Sequence, residues 1–404
     1  MDHGGLPNPS NWCYMNASLQ LLASIARYIL VVNPRDDDDN DQPTDEAEEL
    51  PEDCGPDQPL RHALCSLFRR LSCRGKPTNK REIQKMTATI KDLVAKRNPT
   101  FEDDDQHDAH EFIMTLLDCL HVEMNEGVGD GMAYKQVADK GKSESEVDAA
   151  MRWWRMQRAK DTSPVTESFA GMWRTAVQCS TCKTKVNNFD PLLEIQVEIA
   201  GETDDLLASA AADAKTRRKA KSGSGRLPKG ARIELDDALS HATRMEDEIE
   251  GYTCASCNEG RRKGQPAFTT TVSKKTSIAV APQAFLLLHL KRFRYDGSKV
   301  GSPVTIPQSV TLHMDGSVDL QTRESVRHKT VRYTLCGTIS HHGTSSKFGH
   351  YTANVLRGDG RGGSGGRIFA HCDDETVGVT TLGTVCADES DVYLLLYERD
   401  KAQT

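Results

Sequence analysis

The spacing of apolar residues changes near residue 168 of this 404-residue chain. Before that point, the stretches HALCSLFRRLS, DAHEFIMTLLDCLHVEM and EVDAAMRWWRMQRAK repeat apolar residues at the spacing of amphipathic helices. After it, VNNFDPLLEIQVEI alternates, and FLLLHLKRF and DVYLLLYE are short apolar runs typical of buried strands. A helical first part followed by a strand-rich second part predicts an α+β fold, with about two or three domains or subdomains at this length.

The composition is that of a globular protein, with 37% hydrophobic and 27% charged residues. No run of about 18 apolar residues is present, so we expect no membrane-spanning segment and no membrane partner. The N-terminal stretch MDHGGLPNPSN lacks the basic and apolar parts of a secretory signal. We therefore expect a reducing location, cytoplasmic or nuclear, in which the 12 cysteines serve as metal ligands or catalysts.

Two segments of biased composition interrupt these patterns. The acidic loop 36–57 contains twelve acids and neither Lys nor Arg, so the rest of the chain would be net positive without it. It is interpreted as a solvated, disordered insertion or as a docking site for a basic partner. The basic loop 213–232 is either a flexible loop or a nuclear-import or nucleic-acid patch. Its lack of aromatic residues for base stacking argues against a nucleic-acid partner.

Cys13 lies in the stretch GLPNPSNWCYMNASLQLL, between a turn-rich run and the start of a helical pattern. A thiol in the first turn of a helix is activated, because free backbone N–H groups and the helix dipole favour the thiolate. Cys13 is therefore either a buried structural cysteine or a nucleophile, and a nucleophile requires a base and an orienting group.

The candidate base lies far downstream. His350 is followed by an alternating, strand-like run, and FAHCDDETV supplies Asp373 and Asp374 23 residues later. A histidine and an aspartate on neighbouring strands can meet side by side, and the order Cys, His, Asp is that of papain-like proteases. His341 and His342 compete with His350 for the role of base, and spacing alone does not exclude them.

Two C-x-x-C pairs, CSTC and CASC, form a second candidate site. Its residues are Cys179, Cys182, Cys254 and Cys257. Four thiolates with this local spacing suit a tetrahedral zinc ion in a closed, structural site. The basic loop lies between the pairs, so flanking strands can still bring them together. Redox-active pairs or free thiols are the alternatives.

Taken together, these blocks resemble the catalytic domain of the ubiquitin-specific proteases over nearly the whole chain. GLPNPSNWCYMNASLQ resembles the family's cysteine box, QHDAHEF its second box, and GHYTANV, FAHCDDETV and DVYLLLY its histidine box and the end of its palm. The two C-x-x-C pairs resemble its zinc-holding fingers, and FLLLHLKRF resembles the strand that follows them. The resemblance implies a papain-like hand with a thumb at 1–165, fingers at 166–275 and a palm at 276–404.

The resemblance also implies a role for each matching residue. Cys13 would be the nucleophile, His350 the general base, and Asp373, with Asp374 beside it, the orienting carboxylate. Asn8 matches the oxyanion-hole asparagine, which donates from its side-chain amide. Four further residues would bind substrate: Tyr14 and Tyr351 would flank a narrow channel for a Gly-Gly tail, and Asp108 and Glu111 would face the basic tail of ubiquitin. The alternative for the two acids is ordinary charge on a helix surface.

The implied function is removal of ubiquitin from its conjugates, with structural zinc as the bound metal and ubiquitin and ubiquitinated proteins as partners. The alternatives are a protease for another ubiquitin-like modifier, an inactive ubiquitin-binding scaffold and a zinc-ribbon nucleic-acid binder. Ser10, Asn11 and Trp12 stand where the family usually has Gly-Asn-Thr, and Phe369 where a tryptophan is common. The Trp12 ring either packs against a neighbouring helix or lines the leaving-group side of the cleft. Because the chain begins almost at the cysteine box, we expect no accessory domain.

Overall fold

The computed structural model describes residues 4–31, 50–72, 79–127, 145–199, 232–243, 245–261, 265–318, 325–358 and 367–400. The acidic loop 36–57 falls outside these ranges up to residue 49, and the basic loop 213–232 up to residue 231. Helices dominate the described chain up to residue 169 and strands dominate it afterwards. The predicted α+β class is confirmed.

The helices of the described residues follow the amphipathic stretches of the sequence. They are α1 (Cys13–Ala23), α2 (Ala26–Leu30), α3 (Pro59–Ser72), α4 (Lys80–Ala95), α5 (Ala109–Met124), α6 (Glu146–Lys160), α7 (Pro164–Phe169), α8 (Leu235–Ala242), α9 (Ala255–Asn258) and α10 (Leu382–Cys386). A short 3₁₀ turn, Pro99–Phe101, connects α4 to the loop before α5.

The strands form two sheets. They are β1 (Gly171–Cys179), β2 (Lys185–Leu192), β3 (Ile195–Val197), β4 (Met245–Thr253), β5 (Thr269–Val280), β6 (Phe285–Leu290), β7 (Ser309–Val318), β8 (Ser325–Ser345), β9 (Phe348–Gly358), β10 (Ile368–Asp373), β11 (Thr376–Thr381) and β12 (Val392–Arg399).

The smaller sheet has the strand order β2-β1-β5-β4, with antiparallel pairing throughout. Because β1 and β4 flank the same strand, β5, their C-terminal ends lie at one end of the sheet. This arrangement brings the two C-x-x-C pairs together although 71 residues separate Cys182 from the next pair in the sequence.

The larger sheet has the order β11-β10-β9-β8-β12-β6-β3, and β7 also pairs with β8. Strand β9 lies between β8 and β10, but the pairing with β10 extends only as far as Ala353 opposite Cys372. Residues 348–352 of β9 therefore have no neighbouring strand on that side among the described residues.

Helix α1 is central to the fold, since ten of its residues, including Asn16, Ser18 and Gln20, are buried. It packs against β9 on one side and α5 on the other, and its side chains join those of α3, α5 and the large sheet in one hydrophobic core. Its apolar side chains lie on several faces of the helix, which favours such enclosure. A second core covers the opposite face of the large sheet. None of the described helices is both long and apolar enough to span a bilayer.

Candidate active site and metal site

Cys13 is the first residue of α1 and is 3% exposed. No side chain caps the N-terminus of this helix: Trp12 occupies the cap position without a side-chain hydrogen bond to the first turn. The first-turn N–H groups of a helix lack intrahelical partners and favour negative charge nearby. The fold therefore places the thiol where a thiolate is stabilised.

His350 and Asp373 meet at the edge of the large sheet, on the adjacent strands β9 and β10. The distance between His350 Nε2 and Asp373 Oδ1 is 2.6 Å. The other ring nitrogen, Nδ1, is left to interact with the Cys13 thiol. The interaction with Cys13, and secondarily the hydrogen bond to Asp373, overcomes partial burial and raises the pKa of His350 to about 9. The three groups thus form a continuous chain of interactions.

The two competing histidines are engaged elsewhere. His341 is 1% exposed, and its ring packs edge-on against Phe293 and Tyr351. Burial lowers the pKa of His341 to about 4, which keeps it neutral. His342 Nε2 lies 2.9 Å from Thr352 Oγ1, and its Nδ1 faces Asp391. The geometry therefore favours His350 as the partner of Cys13.

Asn8 and Asp374 form a hydrogen-bonded pair beside Cys13, His350 and Asp373. The Trp12 N–H donates to Asn8 Oδ1 at 2.7 Å, and Asn8 Nδ2 donates to Asp374 Oδ2 at 2.7 Å. An amide nitrogen carries two hydrogens, so one N–H of Asn8 remains to donate to a developing oxyanion. Asp374 Oδ1 accepts a further hydrogen bond from Asn16 Nδ2 of α1 at 2.8 Å.

Asp373 and Asp374 therefore have different partners, although they are adjacent in the sequence. Asp374 has a positive φ of 49°, in the left-handed region that non-glycine residues seldom occupy. This turn directs the two consecutive carboxylates to different partners, Asp373 to His350 and Asp374 to Asn8 and Asn16.

Tyr14 and Tyr351, which are predicted to flank a narrow channel, are both buried. Tyr14 is fully buried, and its ring packs against Phe101, His107 and Phe112. Tyr351 is 5% exposed. The physical reason is that the residue after Cys13 points from α1 towards α5, where apolar side chains enclose its ring.

Asp108 and Glu111 occupy different environments. Asp108 caps α5, with Oδ1 accepting from the N–H groups of His110 and Glu111. Its Oδ2 accepts from the Tyr393 hydroxyl at 2.6 Å and from the Tyr351 hydroxyl at 3.5 Å. Both Asp108 oxygens are thus used within the fold.

Glu111, by contrast, is exposed and accepts one hydrogen bond, from Asn98 Nδ2 at 3.0 Å. Of the two predicted acids, Glu111 is the one whose charge is displayed at the surface.

The Trp12 ring is 8% exposed and is held by the loop before α5. Its Nε1 donates to Asp104 Oδ1 at 3.1 Å, and the Lys91 ammonium of α4 lies 5.9 Å from the ring centre. Burial between these groups favours the packing interpretation of Trp12 over a wall exposed to the leaving group.

The four cysteines of the C-x-x-C pairs converge at the end of the smaller sheet. Cys179 ends β1, Cys182 lies in the next turn, Cys254 follows β4 and Cys257 lies in α9. The Sγ atoms of Cys179 and Cys257 are 3.7 Å apart, and those of Cys182 and Cys254 are 3.6 Å apart. Four sulfurs at about 2.3 Å from one zinc ion would be separated by about 3.8 Å in a tetrahedron. The residues therefore fit a zinc ion.

A cluster that no sequence pattern predicts lies where α5 meets the large sheet. His110 Nε2 is 2.6 Å from Glu194 Oε2, and the His110 ring stacks on that of His289 at 3.8 Å. Burial is the main cause that lowers the pKa of His289, to about 4. No sequence spacing links these residues, since His110 is on α5, His289 is on β6 and Glu194 lies between β2 and β3.

Comparison with known proteins gives one consistent result. Residues 4–397 match the family model described as "Ubiquitin carboxyl-terminal hydrolase". The chain is 27% identical over 414 residues to ubiquitin carboxyl-terminal hydrolase 3 of Mus musculus, covering 99% of this chain and 68% of the relative. The corresponding Homo sapiens protein is 27% identical over 417 residues, with the same coverage of both chains.

Solved structures agree with the sequence matches. The fold is similar to a chain in the structure of the SAGA Ubp8/Sgf11/Sus1/Sgf73 DUB module bound to ubiquitin aldehyde, with a TM-score of 0.60 and 19% identity. The match covers 98% of this chain and 70% of that chain. The predicted resemblance and the hand-like fold are confirmed, and the chain belongs to the ubiquitin carboxyl-terminal hydrolase family of thiol-dependent deubiquitinases.

Proposed function

We propose that Cys13 is the nucleophile that cleaves the isopeptide or peptide bond after the C-terminal glycine of ubiquitin. The observation that carries the proposal is the chain of interactions from Cys13 through His350 to Asp373. Membership of the deubiquitinase family supplies the reaction class, and the geometry supports the residues assigned to it.

The reaction proceeds in two halves. The Cys13 thiolate attacks the glycine carbonyl, the C–N bond breaks, and protonated His350 gives its proton to the leaving amine. The product is a thioester between Cys13 Sγ and ubiquitin. Neutral His350 then takes a proton from water, which attacks the thioester carbonyl and releases Cys13 as the thiolate. Asp373 holds the imidazole in orientation and stabilises its charged form.

Asn8 would stabilise the tetrahedral intermediates of both halves. Its free amide N–H donates to the oxyanion, and removal of such a donor costs about 3 kcal/mol in related acyl transfer. Asp374 acts through Asn8, because it holds the other amide hydrogen and bonds to Asn16 of the helix that carries Cys13. Asp374 is therefore a positioning residue rather than a partner of His350.

Ubiquitin is the proposed substrate and partner. Two similar solved structures contain ubiquitin aldehyde or monoubiquitin bound to the Ubp8 module, which supports ubiquitin binding by a chain of this fold. The exposed charge of Glu111 suits the basic tail of ubiquitin. Tyr14 and Tyr351 would support the channel for the Gly-Gly end from beneath, through packing. We also propose a cytoplasmic or nuclear location, on the basis of the free cysteines among the described residues.

The substrate assignment is tested with electrophile-tipped ubiquitin, SUMO and NEDD8. We expect covalent labelling of Cys13 by the ubiquitin probe and at least about tenfold slower labelling by the others, which corresponds to about 1.4 kcal/mol. Faster labelling by another modifier would identify a protease for that modifier. Binding of ubiquitin without labelling would identify an inactive scaffold.

We propose that Cys179, Cys182, Cys254 and Cys257 hold one structural zinc ion. Such an ion supplies folding free energy at a closed site and takes no part in the reaction. We expect about one zinc per chain by elemental analysis and a melting temperature at least about 5 °C lower in Cys182→Ser. Cys386→Ser, a half-buried cysteine on α10, is the control and should keep both values. Metal-free protein with an unchanged melting temperature would contradict the proposal.

The protonation of His350 predicts the alkaline limb of the pH–rate profile. Its pKa is raised to about 9, so the imidazolium that protonates the leaving amine dominates below that pH and is lost above it. We expect kcat/KM to fall as the pH rises through about 9. Because the hydrogen bond to Asp373 also raises this pKa, Asp373→Ala should move the limb to lower pH. An unmoved limb would remove Asp373 from the proposed chain.

A further inference from the structure

Gln106, in the loop before α5, hydrogen-bonds twice to the residue that precedes His350. Gln106 Nε2 donates to the Gly349 carbonyl oxygen at 3.0 Å, and the Gly349 N–H donates to Gln106 Oε1 at 2.9 Å. One side-chain amide thus pairs with both backbone groups of one residue, as a neighbouring strand would.

The sheet topology explains why Gly349 depends on Gln106 for its backbone hydrogen bonds. Strand β9 loses β10 as a neighbour beyond Ala353, and its pairing with β8 shifts register between His342 and Ser345. Gly349 lies in this irregular part. Backbone N–H and C=O groups without a strand partner require other hydrogen bonds when they are withdrawn from water. Gln106 supplies them at the point where the strand carries His350.

Gly349 is also held in place on its buried side, where it packs against His341. A Cβ atom at this position would overlap the imidazole of His341, which is buried beneath the strand. The absence of a side chain at residue 349 therefore lets the strand lie directly on that ring. Gln106 and His341 together leave the segment little freedom to move.

The loop before α5 also binds the start of α1, the helix that carries Cys13. Asn11 Nδ2 donates to the Asp104 carbonyl oxygen at 3.0 Å, and Trp12 Nε1 donates to Asp104 Oδ1 at 3.1 Å. Asp104 and Gln106 are two residues apart, and they bind the start of α1 and the start of β9, respectively. The loop 104–106 is thus a physical connection between the two elements that must meet in the active site.

We propose that Gln106 is a positioning residue that sets His350 at hydrogen-bonding distance from Cys13. This inference rests on the proposed function of Cys13 and His350. Loss of the two hydrogen bonds frees Gly349 and lets the imidazole move from the thiol. The consequence is a smaller fraction of the thiolate–imidazolium pair, with little change in the affinity for ubiquitin.

Gln106→Met tests this inference, because methionine keeps the length of the side chain and forms neither hydrogen bond. In the full chain we expect kcat for a ubiquitin-fluorophore conjugate to fall by about 10- to 100-fold, with KM within about twofold. The second readout is the pH dependence of Cys13 alkylation by iodoacetamide, quantified on the Cys13 peptide by mass spectrometry. We expect Cys13 alkylation at neutral pH to slow, because a displaced imidazole stabilises less of the reactive thiolate.

Two further variants complete the experiment. Gln106→Glu keeps the acceptor for the Gly349 N–H and loses the donor, so we expect a smaller fall in kcat than with methionine. Gln196→Met, on the exposed side of β3, is the control for the substitution itself and should match the wild type.

An unchanged alkylation profile in Gln106→Met would overturn the inference, whether or not the melting temperature falls, because Gln106 would then be merely structural. Failure of the proposed function is distinguishable, since Cys13→Ala would then retain hydrolysis. If Cys13→Ala is inactive while Gln106→Met matches the wild type in both readouts, only the role of Gln106 is wrong.

Discussion

Replacement of Cys13 by alanine should reduce the hydrolysis of a ubiquitin-fluorophore conjugate by at least about 10⁴-fold while leaving ubiquitin binding intact. Loss of the nucleophile removes the covalent route, and the remaining oxyanion donors and binding contacts do not replace it. The measurement is kcat by fluorescence release, with the dissociation constant for ubiquitin measured by calorimetry. The thiol is buried at the start of α1, so an alanine of smaller volume should be accommodated without unfolding.

Cys119→Ala provides the matched control for Cys13→Ala. Cys119 is a half-buried thiol on α5 whose pKa is raised to about 11 by burial, so it is protonated at neutral pH. Its replacement should leave kcat within about twofold, since a thiol that stays protonated is a poor nucleophile. Hydrolysis that persists in Cys13→Ala would show that another group carries the reaction.

Replacement of His350 by alanine should lower kcat by at least about 10³-fold, because the same group stabilises the thiolate, protonates the leaving amine and activates water. His342→Ala is the control, since His342 lies opposite His350 in the β8–β9 register and binds Thr352. We expect the kcat of His342→Ala to remain within about fivefold of the wild type, because the His342 ring has Thr352 and not Cys13 as its partner. Comparable losses in the two variants would leave the base unassigned.

Alkylation of Cys13 by iodoacetamide isolates one of these three roles, the stabilisation of the thiolate by His350. In the wild type, the imidazolium should keep alkylation fast at neutral pH, because the thiolate is the reacting form. In His350→Ala this stabilisation is lost, so alkylation of Cys13 at neutral pH should slow. His342→Ala should keep the wild-type profile.

Much of the fold followed from patterns that are local in the sequence. Helical spacing identified α3, α5 and α6, and short apolar runs identified β6 and β12, because these elements bury one face or both faces in a regular way. The four clustered cysteines were recognisable for the same reason, since each pair is a local C-x-x-C motif. Cys13, His350 and Asp373 were proposed from the order of their sequence blocks and from the family resemblance.

The partners of the site residues depend on tertiary structure. Asp373 and Asp374 are adjacent in sequence, yet a positive φ at Asp374 sends one to His350 and the other to Asn8. Tyr14 follows Cys13 directly, yet the enclosure of α1 places it in the core. A local sequence pattern does not specify which neighbour covers each face of a buried helix.

The sequence by itself determined the α+β class through the spacing of its apolar residues, and its resemblance to a known family supplied the reaction class and the candidate residues. Only the tertiary structure decided that Gln106 completes the unpaired edge of β9 and that Asp104 holds Trp12. These contacts join segments as far as 243 residues apart in the chain. They exist because the pairing of β9 with β10 extends only as far as Ala353, and the backbone groups at the beginning of β9 must find hydrogen bonds elsewhere.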